Sequence, residues 1–254
     1  MRLKLLIAYD GGPFKGWQSQ PSKDGVQDHL EAAFQKVIGG ERTVVIGSGR
    51  TDAGVHALGQ VAHAEVPAGR VPRHKWQGAL NAALPLEIRV LRVTVARADF
   101  HAQYHATGKT YTYRVYNDTF QHPLEIGRSW FVPGKVDLAV LREGAKILCG
   151  RHDFARFAAN RGIPERDTNR TIYDIAIHRR GPLITFRFTG SGFMYKMVRL
   201  LTGSLVRCAQ GRAPVSWLRD LLEKPATPKT HFTGPAEGLY LTRVFYGRDG
   251  KAKG

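Results

Sequence analysis

The segment Thr171-Ile172-Tyr173-Asp174-Ile175-Ala176-Ile177-His178, Arg179-Arg180-Gly181-Pro182, Leu183-Ile184-Thr185-Phe186-Arg187-Phe188 reads as two strands joined by a hairpin turn. β-Branched and aromatic residues fill both strands, and Gly with Pro punctuates the turn between them. Outward from this hairpin the pattern is symmetric. Upstream, Asp137 to Leu148 reads as a helix with Asp137 as N-cap, and Thr110 to Tyr116 alternates aromatic and polar residues as a strand. Downstream, Tyr195 to Ala209 reads as a helix and Leu239 to Tyr246 as a closing strand. The order is β-α-β-β-α-β, with longer insertions around Asp153 to Arg170 and Gly211 to Gly238.

The first half repeats this order. Leu3 to Tyr9 reads as a strand ending at Asp10-Gly11-Gly12. Val26 to Ile38 carries Leu30, Ala33, Phe34 and Val37 as a helical stripe and stops at Gly39-Gly40. Val44 to Ile46 reads as a short buried strand and Gln60 to Val66 as its neighbour. Arg73 to Leu84 is a helix stopping before Pro85, and Ile88 to Ala96 is a strand. One such unit is the ferredoxin-like split βαβ motif, built on an antiparallel sheet. Two in tandem predict an α+β protein whose halves face each other across a central cleft. The expected boundaries are an N-terminal half at 1–104, a C-terminal half at 105–246 and a flexible basic tail at 247–254. RNA-recognition modules share this architecture, so two independent RNA-binding beads are the alternative. Against beads, no Gly/Ser/Pro-rich linker lies near Ala96 to Lys109, and no RNP-like aromatic run occurs.

Charge points to the partner. Lys and Arg total 38 against 21 Asp and Glu, a formal net charge of +17. That balance is the footprint of a nucleic-acid binder. The cations interleave with the elements, as in Arg151, Arg156, Arg161, Arg166 and Arg170, so a folded surface tracking a phosphate backbone is expected. Cys149 and Cys208 form neither a disulfide framework nor a zinc-finger spacing, which fits a free-thiol cytosolic protein. No apolar run is long enough to span a membrane, and Met1 to Asp10 is too quickly polar for a signal peptide.

Three stretches carry chemistry. In Gly47-Ser48-Gly49-Arg50-Thr51-Asp52-Ala53-Gly54-Val55-His56-Ala57, glycines flank one carboxylate and one guanidinium at the end of a strand. Asp beside Gly is also ordinary turn chemistry. The loop is neither a Walker loop, for no Lys occurs between Gly47 and Gly59, nor a Rossmann loop, since Asp52 stands where the third glycine belongs. The second stretch runs from Asp99-Phe100-His101-Ala102 to Lys109-Thr110-Tyr111-Thr112-Tyr113-Arg114. Tyr111 and Tyr113 share a strand face, where a ring can stack on a base or simply fill a sheet. His101 and His105 stand four apart, but no carboxylate or cysteine completes a metal-ligand set, so no metal is expected. The third stretch, Gly190 to Gly203, places Tyr195 and Arg199 four apart on a helix amid Met197, Val198, Leu200 and Leu201. A guanidinium in such company needs a partner carboxylate, or snorkels to water.

Arg50-Thr51-Asp52-Ala53-Gly54-Val55-His56 resembles the signature of the tRNA pseudouridine synthases of the TruA type. Phe14-Lys15-Gly16-Trp17-Gln18-Ser19-Gln20, Asp99-Phe100-His101-Ala102, Tyr111-Thr112-Tyr113, His152-Asp153-Phe154, Arg170-Thr171-Ile172, Gly192 to Arg199 and Gly238-Leu239-Tyr240-Leu241 resemble further blocks of that family, in order along nearly the whole chain. One departure is Gln103, where the family often has Arg. The resemblance implies isomerisation of uridine to pseudouridine at tRNA positions 38 to 40, in the anticodon arm. It implies no cofactor, a tRNA partner, a homodimer bridged by tRNA and a cytoplasmic location. It also implies roles. Asp52 is the catalytic carboxylate, Tyr111 stacks on or bonds the target base, and Arg199 pairs with Asp52. Arg50, His56, Phe14, Trp17, Gln18 and Met194 contact the substrate.

Overall fold

The computed structural model describes residues 1–40, 42–160, 162, 167–224 and 226–247. Arg161, Arg166 and all but Gly247 of the expected tail at 247–254 lie outside the described residues. The elements in chain order are β1 (Arg2–Tyr9), α1 (Val26–Ile38), β2 (Val45–Gly47), β3 (His56–Glu65), α2 (Trp76–Ala83), β4 (Ile88–Val95), β5 (Ala106–Tyr116), β6 (Trp130–Phe131), α3 (Leu138–Leu148), β7 (Gly150–Asp153), β8 (Asn169–Arg180), β9 (Leu183–Gly190), α4 (Met197–Ala209), α5 (Ser216–Glu223) and β10 (Leu239–Tyr246). The protein is thus a mixed α+β chain. Contacts divide it into two units, Met1–Thr107 with the last strand from Tyr240, and Gly108–Leu239.

In the first unit the strands lie in the order β4-β1-β3-β10, with β2 paired to β3. β1 is antiparallel to β3 and β4, whereas β10 joins β3 in parallel. Leu3, Leu5 and Ile7 are fully buried and alternate with partly exposed Arg2, Lys4 and Leu6. Each such burial is worth about 1.5–3 kcal/mol, and a one-residue slip would turn all three outward, so this pattern pins the register. Leu30 and Phe34 of α1 and Trp76 and Leu80 of α2 complete the core, with the Phe34 and Trp76 rings 5.9 Å apart. Asp28 closes the start of α1, accepting from the Gly25 amide at 3.1 Å and the Ser19 hydroxyl at 2.6 Å.

The second unit orders its strands β5-β9-β8-β7, with β6 on β5. The opening hairpin closes at Gly181-Pro182, with Arg180 opposite Leu183. Phe186, Phe188, Ile184 and Ile172 form one buried face. Asp137 caps α3, accepting from the Ala139 and Val140 amides at 2.8 and 3.3 Å.

Four expectations change. The last strand was placed in the C-terminal half, but its backbone pairs with β3, Tyr240 opposite His56. Val44 is 53% exposed and outside β2, because the strand begins at Val45. β3 begins at His56 instead of Gln60, with a bulge across Leu58–Gly59 that breaks the alternation the sequence pattern relies on. α4 begins at Met197, because Lys196 takes a left-handed conformation at φ 57°. Tyr195 therefore precedes the helix and does not stack one turn above Arg199.

Candidate active site

The Asp52 loop leaves β2 and re-enters the sheet at β3, and its backbone is tied down on both sides. The Ser48 amide donates to the Val61 carbonyl at 2.7 Å. Gln60, fully buried, accepts from the Ser48 hydroxyl at 2.7 Å and donates to the Gly49 carbonyl at 3.0 Å. The buried Tyr9 hydroxyl bonds the Thr51 hydroxyl at 2.8 Å, and the Val55 amide donates to the Asp52 carbonyl at 3.1 Å. Burial pushes the Tyr9 phenol up to about 12, so it stays a neutral hydrogen-bonding group. Asp52 itself is half-buried, and Arg50 is exposed. A short carboxylate is thereby held on rigid backbone at the edge of solvent.

The Phe14-to-Gln18 element supports this loop from beneath. The Trp17 amide donates to the Thr51 carbonyl at 3.1 Å, while the Gly16 and Trp17 carbonyls accept from the first amides of α1, Val26 and Gln27. Gly16, at φ +87°, lies so close that a Cβ there would meet the Thr51 carbonyl oxygen at 2.6 Å. A Cβ on Gly47 would likewise strike the Trp17 indole at 2.5 Å, so the ring fills the space beneath that glycine. Trp17 is 2% exposed, and Phe14 is buried edge-on against His29 at 5.1 Å. Both rings pack under the loop. Gln18 is half-buried and donates to Gln27 at 2.9 Å.

His56 is buried, stacked on Tyr240 at 4.6 Å, and its Nδ1 lies 3.0 Å from both the Gly11 amide and an Asp10 carboxylate oxygen. The ring accepts from the Gly11 amide and anchors the start of β3.

In the second unit, Tyr111 on β5 packs edge-on against Phe193 at 5.3 Å. Tyr113, two residues on, is fully buried and donates to the Pro235 carbonyl at 2.6 Å. Both same-face tyrosines are buried, Tyr111 retaining 8% of its surface. Half-buried Arg199 donates from Nε to the Gly234 carbonyl at 2.8 Å, and the Gly234 amide donates back to the Arg199 carbonyl at 3.1 Å. The guanidinium is thus held along the 232–235 segment. Met194 is buried just before α4.

Two residues went unrecognised in the sequence. Gln60 signals itself only as a polar side chain inside an apolar strand. Lys109 stands two residues before Tyr111, on the same face of β5. Burial lowers its ammonium to about 8, so it can carry or release a proton near neutral pH. Among the described residues no cluster of three His, Cys, Asp or Glu side chains is placed to hold a metal ion.

The sequence matches the profile of the tRNA pseudouridine synthase family over residues 5–105 and 145–247, which include the Asp52 loop and Arg199. The chain belongs to that family. It is 42% identical over 252 residues to tRNA pseudouridine synthase A of Akkermansia muciniphila, covering 96% of this chain and 95% of that protein. The enzyme of the same name from Lactobacillus helveticus is 41% identical over 247 residues, covering 96% and 94%. That of Geobacillus kaustophilus is 39% identical over 245 residues, with the same coverage. As a tRNA pseudouridine synthase, this chain carries the family match through both units.

Proposed function

We infer that this protein isomerises uridine to pseudouridine in tRNA, with the anticodon arm as its target and Asp52 as its catalytic carboxylate. The observation that carries the reading is a half-buried aspartate on a loop whose backbone is bonded to β3 and the Gly16–Trp17 segment and whose Thr51 hydroxyl is bonded to Tyr9 of β1, in a chain of this family. The reaction breaks the N1–C1′ bond, turns the base and joins C5 to C1′. The hydrogen on C5 leaves to water and N1 gains a proton. Atoms and electrons balance within the nucleotide, so the stoichiometry calls for neither redox cofactor nor ATP.

A base in a folded arm must leave its stack before this chemistry can begin. Asp52 serves as nucleophile or base toward the flipped nucleotide. Exposed Arg50 suits a phosphate beside the target, and Tyr111 suits stacking on the base. Arg199 keeps its expected part among the site residues, its guanidinium held by the Gly234 carbonyl. Gln18 keeps its expected part in contacting the RNA. A homodimer and a cytoplasmic location complete the reading; no helix among the described residues is long and apolar enough to cross a membrane. The test is release of tritium from tRNA labelled at uracil C5. Release in step with pseudouridine supports the reading. tRNA binding without release would leave a non-catalytic RNA-binding protein.

A further inference from the structure

On the first unit's sheet, the face opposite Leu3, Leu5 and Ile7 carries a groove of about 560 Å³. It is lined by strand residues of β1, β3, β4 and β10, and by no residue of the Asp52 loop. Three cations line it, Lys4, Arg92 and Arg243, together with Thr94, Tyr246 and Leu58, and no carboxylate does. Neighbouring cations are matched: Arg2 pairs with Glu65, and Arg97 with Asp99 at 2.9 Å. Lys4, Arg92 and Arg243 have no carboxylate partner among the described residues.

Lys4 is stationed there. Its ammonium lies 4.2 Å from the centre of the Tyr246 ring and 5.0 Å from that of Phe100. The Tyr246 ring is itself fixed, its hydroxyl donating to the Ala102 carbonyl at 2.6 Å. Burial lowers the Lys4 ammonium from its ordinary value, so the fold bears a cost that an anion in the groove would relieve. The bulge in β3 leaves Leu58 57% exposed at the same groove, an apolar surface for a sugar or base.

We propose that this groove is a second RNA-contact surface, taking a stretch of the tRNA phosphate backbone on Lys4, Arg92 and Arg243. The proposal rests on tRNA being the substrate. Charge complementarity selects RNA over a second copy of the chain. A two-fold contact puts the same patch on both partners, which would bring these three cations against themselves.

The experiment is the double substitution Arg92→Gln with Arg243→Gln, with Arg97→Gln as a matched control. tRNA affinity is measured across a salt series, alongside kcat, KM and sedimentation mass. Removing two phosphate contacts should flatten the slope of log affinity against log salt by about 1.4–1.8 and weaken binding roughly tenfold at physiological salt. KM should rise with kcat at saturating tRNA unchanged, while Arg97→Gln leaves slope and affinity close to wild type. An unchanged slope in the double variant would overturn the proposal, as would an equal change in the Arg97 control. A shift in sedimentation mass with unchanged RNA affinity would also overturn it, marking the face as a contact between copies. Because the slope is read without catalysis, a wild-type protein that binds tRNA but makes no pseudouridine would sink the functional reading and leave this one standing.

Discussion

Replacing Gln60 with Leu should separate catalysis from binding more sharply than any change at the loop surface. Gln60 is fully buried and holds two consecutive residues of the loop, Ser48 at 2.7 Å and Gly49 at 3.0 Å. Leu has nearly the same shape, so no cavity opens and the loss is one of hydrogen bonds. Each of the two bonds contributes about 1 kcal/mol net, and a part-buried carbonyl left bare costs about 1–3 kcal/mol more, which sums to roughly 3–5 kcal/mol. At about 2–4 °C per kcal/mol for a chain of this size, melting should fall by roughly 6–20 °C. Asp52 lies three residues beyond Gly49, so the carboxylate should lose its fixed position. A displacement of about 1 Å can cost roughly 100-fold in rate. Affinity for tRNA should stay within about threefold, because phosphate contacts dominate it. Single-turnover pseudouridine formation, melting and tRNA binding on one preparation decide the matter. A variant that melts lower but reacts at the wild-type rate would show that the loop's tether serves the fold alone and does not position Asp52.

Arg199→Ala should lower stability by about 1.5–3 kcal/mol, the worth of a hydrogen bond from a charged donor, and should lower turnover as well. Arg199→Lys should recover only part of both, since an ammonium lacks the guanidinium fork; unchanged melting and rate in the Ala variant would make Arg199 an ordinary surface residue. Acid should also weaken the fold through His63. Burial, reinforced by the charges of His101 and Arg2, lowers His63 to about 4 from an ordinary 6.5. Between those values the unfolded chain binds the proton and the native chain does not, so stability falls as pH drops from 6.5 to 4, on the order of 1–3 kcal/mol. The neutral ring accepts from the Ala102 amide at 3.1 Å, and His63→Gln should flatten the melting curve over that window; an unaltered pH dependence would show that His63 does not titrate with folding.

Much of the fold is legible where local rules act alone. The stripe of α1 and its Gly39-Gly40 stop, the Asp137 cap and the Gly181-Pro182 turn depend on residues within a few positions of one another. The partner of β10 is not legible, because its parallel pairing with β3 joins residues far apart in the chain and leaves no local trace. The start of α4 is hidden for another reason: Lys196 adopts a left-handed turn that its side chain does not announce. At the site, the sequence exposes the loop and its carboxylate but not which neighbours face solvent. Trp17 packs into the slot that Gly47 leaves open, and His56 is buried against Tyr240, neither of which a local pattern announces. Gln60 and Lys109 acquire meaning only from what the fold packs around them.

The most direct test of the account is pseudouridine formation by the purified Asp52→Asn protein at saturating tRNA. Asn keeps the shape of the side chain and removes its charge and nucleophilicity. The account predicts no product above background, with tRNA affinity within about threefold of wild type because phosphate contacts carry it. Turnover close to wild type in that variant would contradict the assignment of Asp52 as the catalytic carboxylate.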